Sequence, residues 1–124
     1  MNSGAHRISG VLVALGGLAI AGPTPHVLAW GVGCMAGARA PDWMEAPYWR
    51  GGKRFSLIPH RTVTHWVGAW AVAAVALGAM TYYQPSALHM ALMGFVTGAL
   101  AHCAMDATTP MGVPFLNPFS RKRI

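Results

Sequence analysis

Acidic side chains are nearly missing from this sequence: three of its 124 residues are Asp or Glu, against nine Lys and Arg. Charged residues of both signs make up only 10% of the chain, where a soluble domain carries about 25%. That is too few to coat a water-facing surface, which excludes an ordinary soluble domain. Cysteine is just as sparse. Cys34 and Cys103 both lie in apolar segments, so there is no disulfide framework, and two buried thiols are the plain reading. Internal repeats and low-complexity tracts are also missing. What the chain does have is apolar and small, with 54% hydrophobic residues and 15 glycines. Membrane helices use such residues to bring their backbones close. The length suits one domain, 1–124, and the composition makes it an integral membrane protein.

Four apolar stretches carry that reading: residues 8–22, 26–40, 66–83 and 87–105. Each is bounded by a breaker: "PTP" after the first, Pro41 after the second, Gln84-Pro85 after the third, and "DATTPMG" at the end of the fourth. The pattern predicts an all-α integral membrane four-helix bundle. A spanning helix needs about 20 apolar residues, range about 17–25. The last two stretches meet that, whereas the first two are short and form a hairpin that only just crosses or stops short. A second reading of the N-terminus is a signal peptide, with "AIA" before Gly22 as its cleavage motif. Residues 41–59 are rich in Pro, Gly, Trp and basic side chains. They read as an interfacial loop, with Trp43, Tyr48 and Trp49 at headgroup level.

The charges then sort by side. If all four stretches cross, Arg7, Arg39, Arg50, Lys53, Arg54, Arg61 and the basic tail (119–124, with Arg121, Lys122 and Arg123) share one face with both termini. The opposite turns, around Pro23 and Gln84, carry no charge. The positive-inside rule makes the charged face cytoplasmic. Attraction to anionic lipid headgroups, about 1 kcal/mol per basic residue, accounts for the cationic excess. Nucleic acid is not needed as a partner.

The same topology gathers the metal-binding residue types. His6 precedes the first stretch, Asp42 follows the second, His60 and His65 precede the third, and His102 and Asp106 end the fourth. His26 and His89 fall toward the other face. His102 and Asp106 are four apart, one turn along a single helix face. His60 and His65 are five apart, about 140° on a continuous helix, so both point to one ligand only if His60 lies ahead of the first turn. Each residue alone has an ordinary account: an interfacial histidine satisfied by hydrogen bonds, a turn at Asp42, an ion pair at Asp106, or Arg61 reaching to headgroups. Their convergence favours a site for one or two divalent transition metal ions. Imidazole with carboxylate suits zinc or a similar ion.

The blocks "HR" (6–7), "GARAPDW" (37–43), "PHRTVTHW" (59–66) and "GALAHCAMDATTPMGVPFLNPF" (98–119) follow in order. Together they resemble the YdjM family of small bacterial inner-membrane proteins, described as membrane-bound, metal-dependent hydrolases. The resemblance spans nearly the whole chain, and its last two blocks are the specific ones. It implies ligand roles for His6, Asp42, His60, His65, His102 and Asp106, with Arg61 and Thr64 in support. The order of ligands is also similar, more distantly, to that of zinc phospholipase C enzymes. There is one departure. The family commonly has a second acid two residues after Pro-Asp, where this chain has Met44, and the adjacent Glu45 takes that place only with a shifted backbone.

Two functions remain in view. In a hydrolase, Arg61 holds an anionic group, Asp106 or Asp42 accepts a proton, and the substrate is a phosphoester or phospholipid at the cytoplasmic face of the inner membrane. In a non-catalytic membrane subunit or scaffold, the His/Asp cluster is structural and the basic face docks a protein partner. A channel or transporter fits less well, because the ionisable residues do not line the middle of the helices.

Overall fold

The computed structural model describes residues 3–120 and 124; Arg121, Lys122 and Arg123 of the basic tail lie outside the described residues. The chain runs α1 (Ser3–Ala21), α2 (Pro25–Gly37), α3 (Ala40–Trp43), β1 (Pro47–Arg50), β2 (Lys53–Ser56), a 3-10 turn (Val63–His65), α4 (Val67–Tyr83) and α5 (Ala87–Ala107). The protein is therefore mostly helical, with one small hairpin.

Local chemistry explains the boundaries. The Thr24 hydroxyl accepts from the Val27 amide at 3.2 Å and caps α2, whose first residue is Pro25. Ser86 does the same for α5 through the His89 amide. The start of α4 is satisfied from a distance: the Val67 and Gly68 amides donate to the Pro114 and Phe115 carbonyls. That contact brings the segment after α5 back over the start of α4.

Two expectations are corrected here. First, α1 is not short. It has 19 residues, because the polar "SGAHR" start continues the helix and carries His6 and Arg7 on its first turns. Among the described residues, α1 (from Gly4) and α5 are candidate membrane spans by length and composition, while α4 is a shorter apolar helix of 17 residues and α2 has only 13. Second, the 41–59 loop is structured. Gly51 and Gly52 both take positive φ, +59° and +75°, as a two-residue hairpin turn requires. They pair Tyr48 with Phe55 and Trp49 with Arg54 across the antiparallel strands.

α5 is the central helix and touches α1, α2, α3 and α4. Its tightest contact is with α2, along a seam of glycines. A Cβ added at Gly33 or Gly37 would overlap the carbonyls of Ala91 or Phe95. One added at Gly94 or Gly98 would overlap those of Trp30 or Cys34. The two backbones therefore touch directly, as small-xxx-small motifs allow in membranes. On α5 the same stripe continues at four-residue steps, Gly94, Gly98, His102, Asp106, so the seam runs straight into the ionisable cluster. On α1, Gly10 lies against Ala38, and His6, one turn earlier, stacks on His102. The outward faces remain apolar, with Ile8, Leu12, Leu15, Val32, Val72 and Val75 all exposed. Such a surface suits lipid rather than water.

The seam yields a direct test. Gly94→Leu lowers stability by about 3 kcal/mol, the upper end for overpacking. Gly78→Ala, where an added Cβ meets nothing within 4 Å, stays within about 1 kcal/mol and tends to stabilise. Thermal unfolding of the detergent-solubilised variants, followed by circular dichroism, distinguishes the two; equal melting temperatures would contradict the seam.

Candidate metal centre

The site is built where the seam ends. α2 stops at Gly37, which leaves the Ala38 carbonyl without a helical partner. His102 Nδ1 takes it up, donating at 2.8 Å. With its proton spent there, the ring turns Nε2 toward the cluster. The chain then makes the single turn of α3, which starts around Pro41 and presents Asp42. Ala46 follows in the left-handed region at φ +51°, and Glu45 is turned fully inward. The backbone shift that Glu45 needs is therefore present.

Glu45 organises the next segment. Its carboxylate accepts from the Arg61 amide (3.0 Å) and the Thr64 hydroxyl (3.2 Å). It also meets His60 Nδ1 at 2.9 Å and His65 Nδ1 at 3.1 Å. Arg61 takes a left-handed φ of +55° to make this possible. The 3-10 turn then carries His65 into the interior. The Trp70 indole fixes that turn by donating to the Thr64 carbonyl at 2.8 Å.

Both imidazoles thus have Nδ1 engaged on an acceptor and Nε2 directed to a common point. The two Nε2 atoms lie 3.1 Å apart. Asp42 Oδ1 is 3.4 Å from His65 Nε2 and 3.6 Å from His102 Nε2. Asp106 Oδ2 is 3.3 Å and 3.4 Å from the same atoms. Donors about 2.0–2.2 Å from one tetrahedral ion sit about 3.3–3.6 Å from one another. The observed separations match that closely, apart from the shorter nitrogen pair. Two facing lone pairs at such a distance repel unless a cation, a proton or a metal ion, lies between them.

His6 completes one side. Its ring stacks on His102 with centroids 3.7 Å apart, and its Nε2 is 3.5 Å from Asp106 Oδ1. Its Nδ1 is buried and has no hydrogen-bond partner among the described residues, a costly state for a polar atom unless a ligand takes it up. The donors fall into two compact groups, Asp42–Glu45–His60–His65 and His6–His102–Asp106, each within 4.8 Å. His60 lies on the outer side, partly exposed, ahead of the 3-10 turn and joined through Glu45. Arg61 is buried. It donates to Asp106 Oδ1 at 2.8 Å, to the Thr109 hydroxyl at 2.6 Å and to the Gly112 carbonyl at 3.3 Å.

All three acidic side chains of the protein are therefore in this one place. Burial alone would raise the pKa of Asp42, but hydrogen bonds from His102 and His65 hold it well below the usual carboxylate range. Glu45 is depressed in the same way by His60, His65 and the Arg61 amide, again against burial. For His65 burial favours the neutral ring, yet hydrogen bonds to Asp106, Asp42 and Glu45 outweigh it and lift its pKa to about 10. The cluster demands positive charge at its centre, and a divalent ion would supply it while releasing a proton.

A cavity of about 330 Å³, bordered by His6, Asp42, Trp49, His60, Arg61 and Asp106 among others, opens onto the cluster. With this arrangement in view, one comparison is decisive: the family model for the YdjM inner membrane protein matches residues 1–124. The chain belongs to the YdjM family. No curated protein and no solved structure matches it.

In this YdjM-family chain the six expected ligands, His6, Asp42, His60, His65, His102 and Asp106, are brought to one end of the helices. The residue that the sequence left out of the ligand set is Glu45. It sits beside Met44, which stays partly exposed. The usable signal was scarcity: a buried carboxylate in so apolar a chain needs partners. Such acceptors behind a ligating histidine typically govern 10- to 100-fold in metal affinity. Glu45→Ala should therefore weaken divalent-metal binding by about 10- to 100-fold, while Met44→Ala leaves it unchanged. Competition against a chromogenic chelator measures both, and equal affinities would remove Glu45 from the site.

Proposed function

We propose that the protein is a multi-pass inner-membrane hydrolase, dependent on one or two divalent transition metal ions and acting on a phosphoester of amphiphilic character. Zinc is the ion that best suits a set of imidazoles and carboxylates at tetrahedral spacing. The observation that carries this reading is the pair of histidines whose Nδ1 atoms are held by Glu45 and the Ala38 carbonyl, with their Nε2 atoms facing each other between Asp42 and Asp106. A metal-bound histidine is usually oriented in this way. Arg7, Arg39, Arg50, Lys53, Arg54 and Arg61 belong to the helix ends and connections on the side of the site, and the positive-inside rule would turn that side to the cytoplasm.

His65, His102, Asp42 and Asp106 would hold the ion, with His6 beside them. A bound divalent ion supplies Lewis acidity toward a phosphoryl or ester oxygen and toward water. The protein supplies the rest. Arg61 holds Asp106 Oδ1, which keeps Oδ2 aimed at the two imidazoles, and it adds positive charge to the cavity wall. With both oxygens of Asp106 engaged, His60 is better placed to carry a proton. It borders the cavity, is partly exposed, and is oriented by Glu45 at 2.9 Å, the usual arrangement of a general base backed by a carboxylate.

A structural role for the cluster has one observation of its own: Arg61 ties α5 to the "TTPMG" turn through three contacts. The two readings separate cleanly. Gently purified wild type should carry stoichiometric transition metal and hydrolyse at least one member of a panel of phosphodiesters and phospholipids. His102→Ala should lose the metal, and His60→Gln should keep it while turnover falls by about 100-fold or more. Elemental analysis and turnover on the same preparations decide. Metal-loaded protein inert across the panel would leave the scaffold role, and wild type without metal would remove the hydrolase.

A further inference from the structure

The hairpin has two faces. Tyr48 and Phe55 stack on one, at 5.6 Å. Trp49 and Arg54, directly paired across the strands, occupy the other and border the cavity above the metal centre. A second cavity, of about 310 Å³, shares His6, Asp42, Trp49 and Arg54 with the first and is bordered in addition by Arg39 and Trp43. The two form one groove with different ends. The inner end meets Asp106, His60 and Arg61, whereas the outer end has two arginines and two exposed indoles. Asp42 is the one carboxylate bordering the outer cavity, and its Oδ1 is turned toward His65 and His102. Arg54 is anchored by Glu45 at 3.3 Å, a single long contact from one Nη atom that leaves donors to spare. Arg39 is exposed.

We infer that the outer end of this groove is a binding site for the phosphate of an anionic phospholipid headgroup, gripped by Arg39 and Arg54 between the indoles of Trp43 and Trp49. Guanidinium groups match phosphate oxygens in geometry and charge, and indoles suit the headgroup region. The helix that supplies His6 continues away from the groove with Ile8, Leu12 and Leu15 exposed, an apolar surface for acyl chains that a free phosphate ion would not use. The inference rests on the reading of the site as a phosphoester hydrolase and names its substrate class; the arginines bind and orient, and the chemistry stays at the inner end.

Native mass spectrometry of the detergent-solubilised full chain reads bound metal and bound lipid in one spectrum. Wild type should bind short-chain phosphatidylglycerol about tenfold more tightly than phosphatidylcholine. Arg39→Gln, on an exposed side chain, and Arg54→Gln should each remove that preference without loss of metal. Inorganic phosphate at equal concentration should not displace the lipid. If lipid binding ignores both substitutions while metal remains bound, this inference falls and the hydrolase reading stands. Displacement by inorganic phosphate would overturn the lipid as ligand. A wild-type spectrum without metal would instead overturn the hydrolase reading, with the headgroup preference still read directly.

Discussion

The direct contact of the α2 and α5 backbones at Gly33, Gly37, Gly94 and Gly98 is the constraint on which the site depends. Inside a bilayer no hydrophobic force drives helices together, so close packing and interhelical hydrogen bonds must do it. Here the two are coupled. The seam brings the end of α2 near enough for His102 to reach the Ala38 carbonyl at 2.8 Å. A gap opened by one methyl group would stretch that bond past the limit of about 3.5 Å for a useful contact. His102 would then lose the acceptor that turns its Nε2 inward, and the facing pair with His65 would come apart. Because Gly94, Gly98, His102 and Asp106 lie on one stripe, the register that packs the helices also aims the ligands.

The second constraint is charge. Asp42, Glu45 and Asp106, the buried Arg61 and three buried imidazoles are gathered in one place in a protein with few charged residues. Taking charged groups from water is expensive, and replacing a buried ion pair with apolar side chains often stabilises a protein. Stability alone therefore does not account for this cluster. Its hydrogen bonds are directed: each of Glu45, the Ala38 carbonyl and Arg61 holds a neighbour so that its remaining atom faces the centre. That is how outer groups serve a metal site, and it is a stronger argument than the number of ionisable residues.

Much of this was legible in the chain, for identifiable reasons. The third and fourth apolar stretches match α4 and α5 to within two residues, since Gln84-Pro85 and Ser86 mark their junction. His102 and Asp106 could be paired from spacing alone. The start of α1 could not, because counting apolar residues discards "SGAHR", although those residues form helix and carry His6. The hairpin was written in "RGGK", but strands of four residues show too little alternation to stand out beside long apolar runs. Glu45 depends on left-handed backbone at Ala46 and Arg61. Such conformations are unusual for residues other than glycine, so nothing local announces them. The glycine stripe is legible only through spacing, because Gly33, Gly37, Gly94 and Gly98 stand out by their four-residue steps and not by glycine content.

The position of the hairpin ties these features together. It is inserted between α3 and the 3-10 turn, between the segment that presents Asp42 and Glu45 and the one that presents His65. Its strands therefore stand over the ligands as a consequence of chain order. One face places Trp49 and Arg54 at the border of the groove, while Tyr48 and Phe55 stack on the other. Alternation along a strand makes this division automatic: the stacked aromatics and the cavity-bordering residues occur on adjacent positions. By length and composition α1 and α5 can cross a bilayer, and the candidate ligands are gathered at one end of them, so the groove and the ligands share that end.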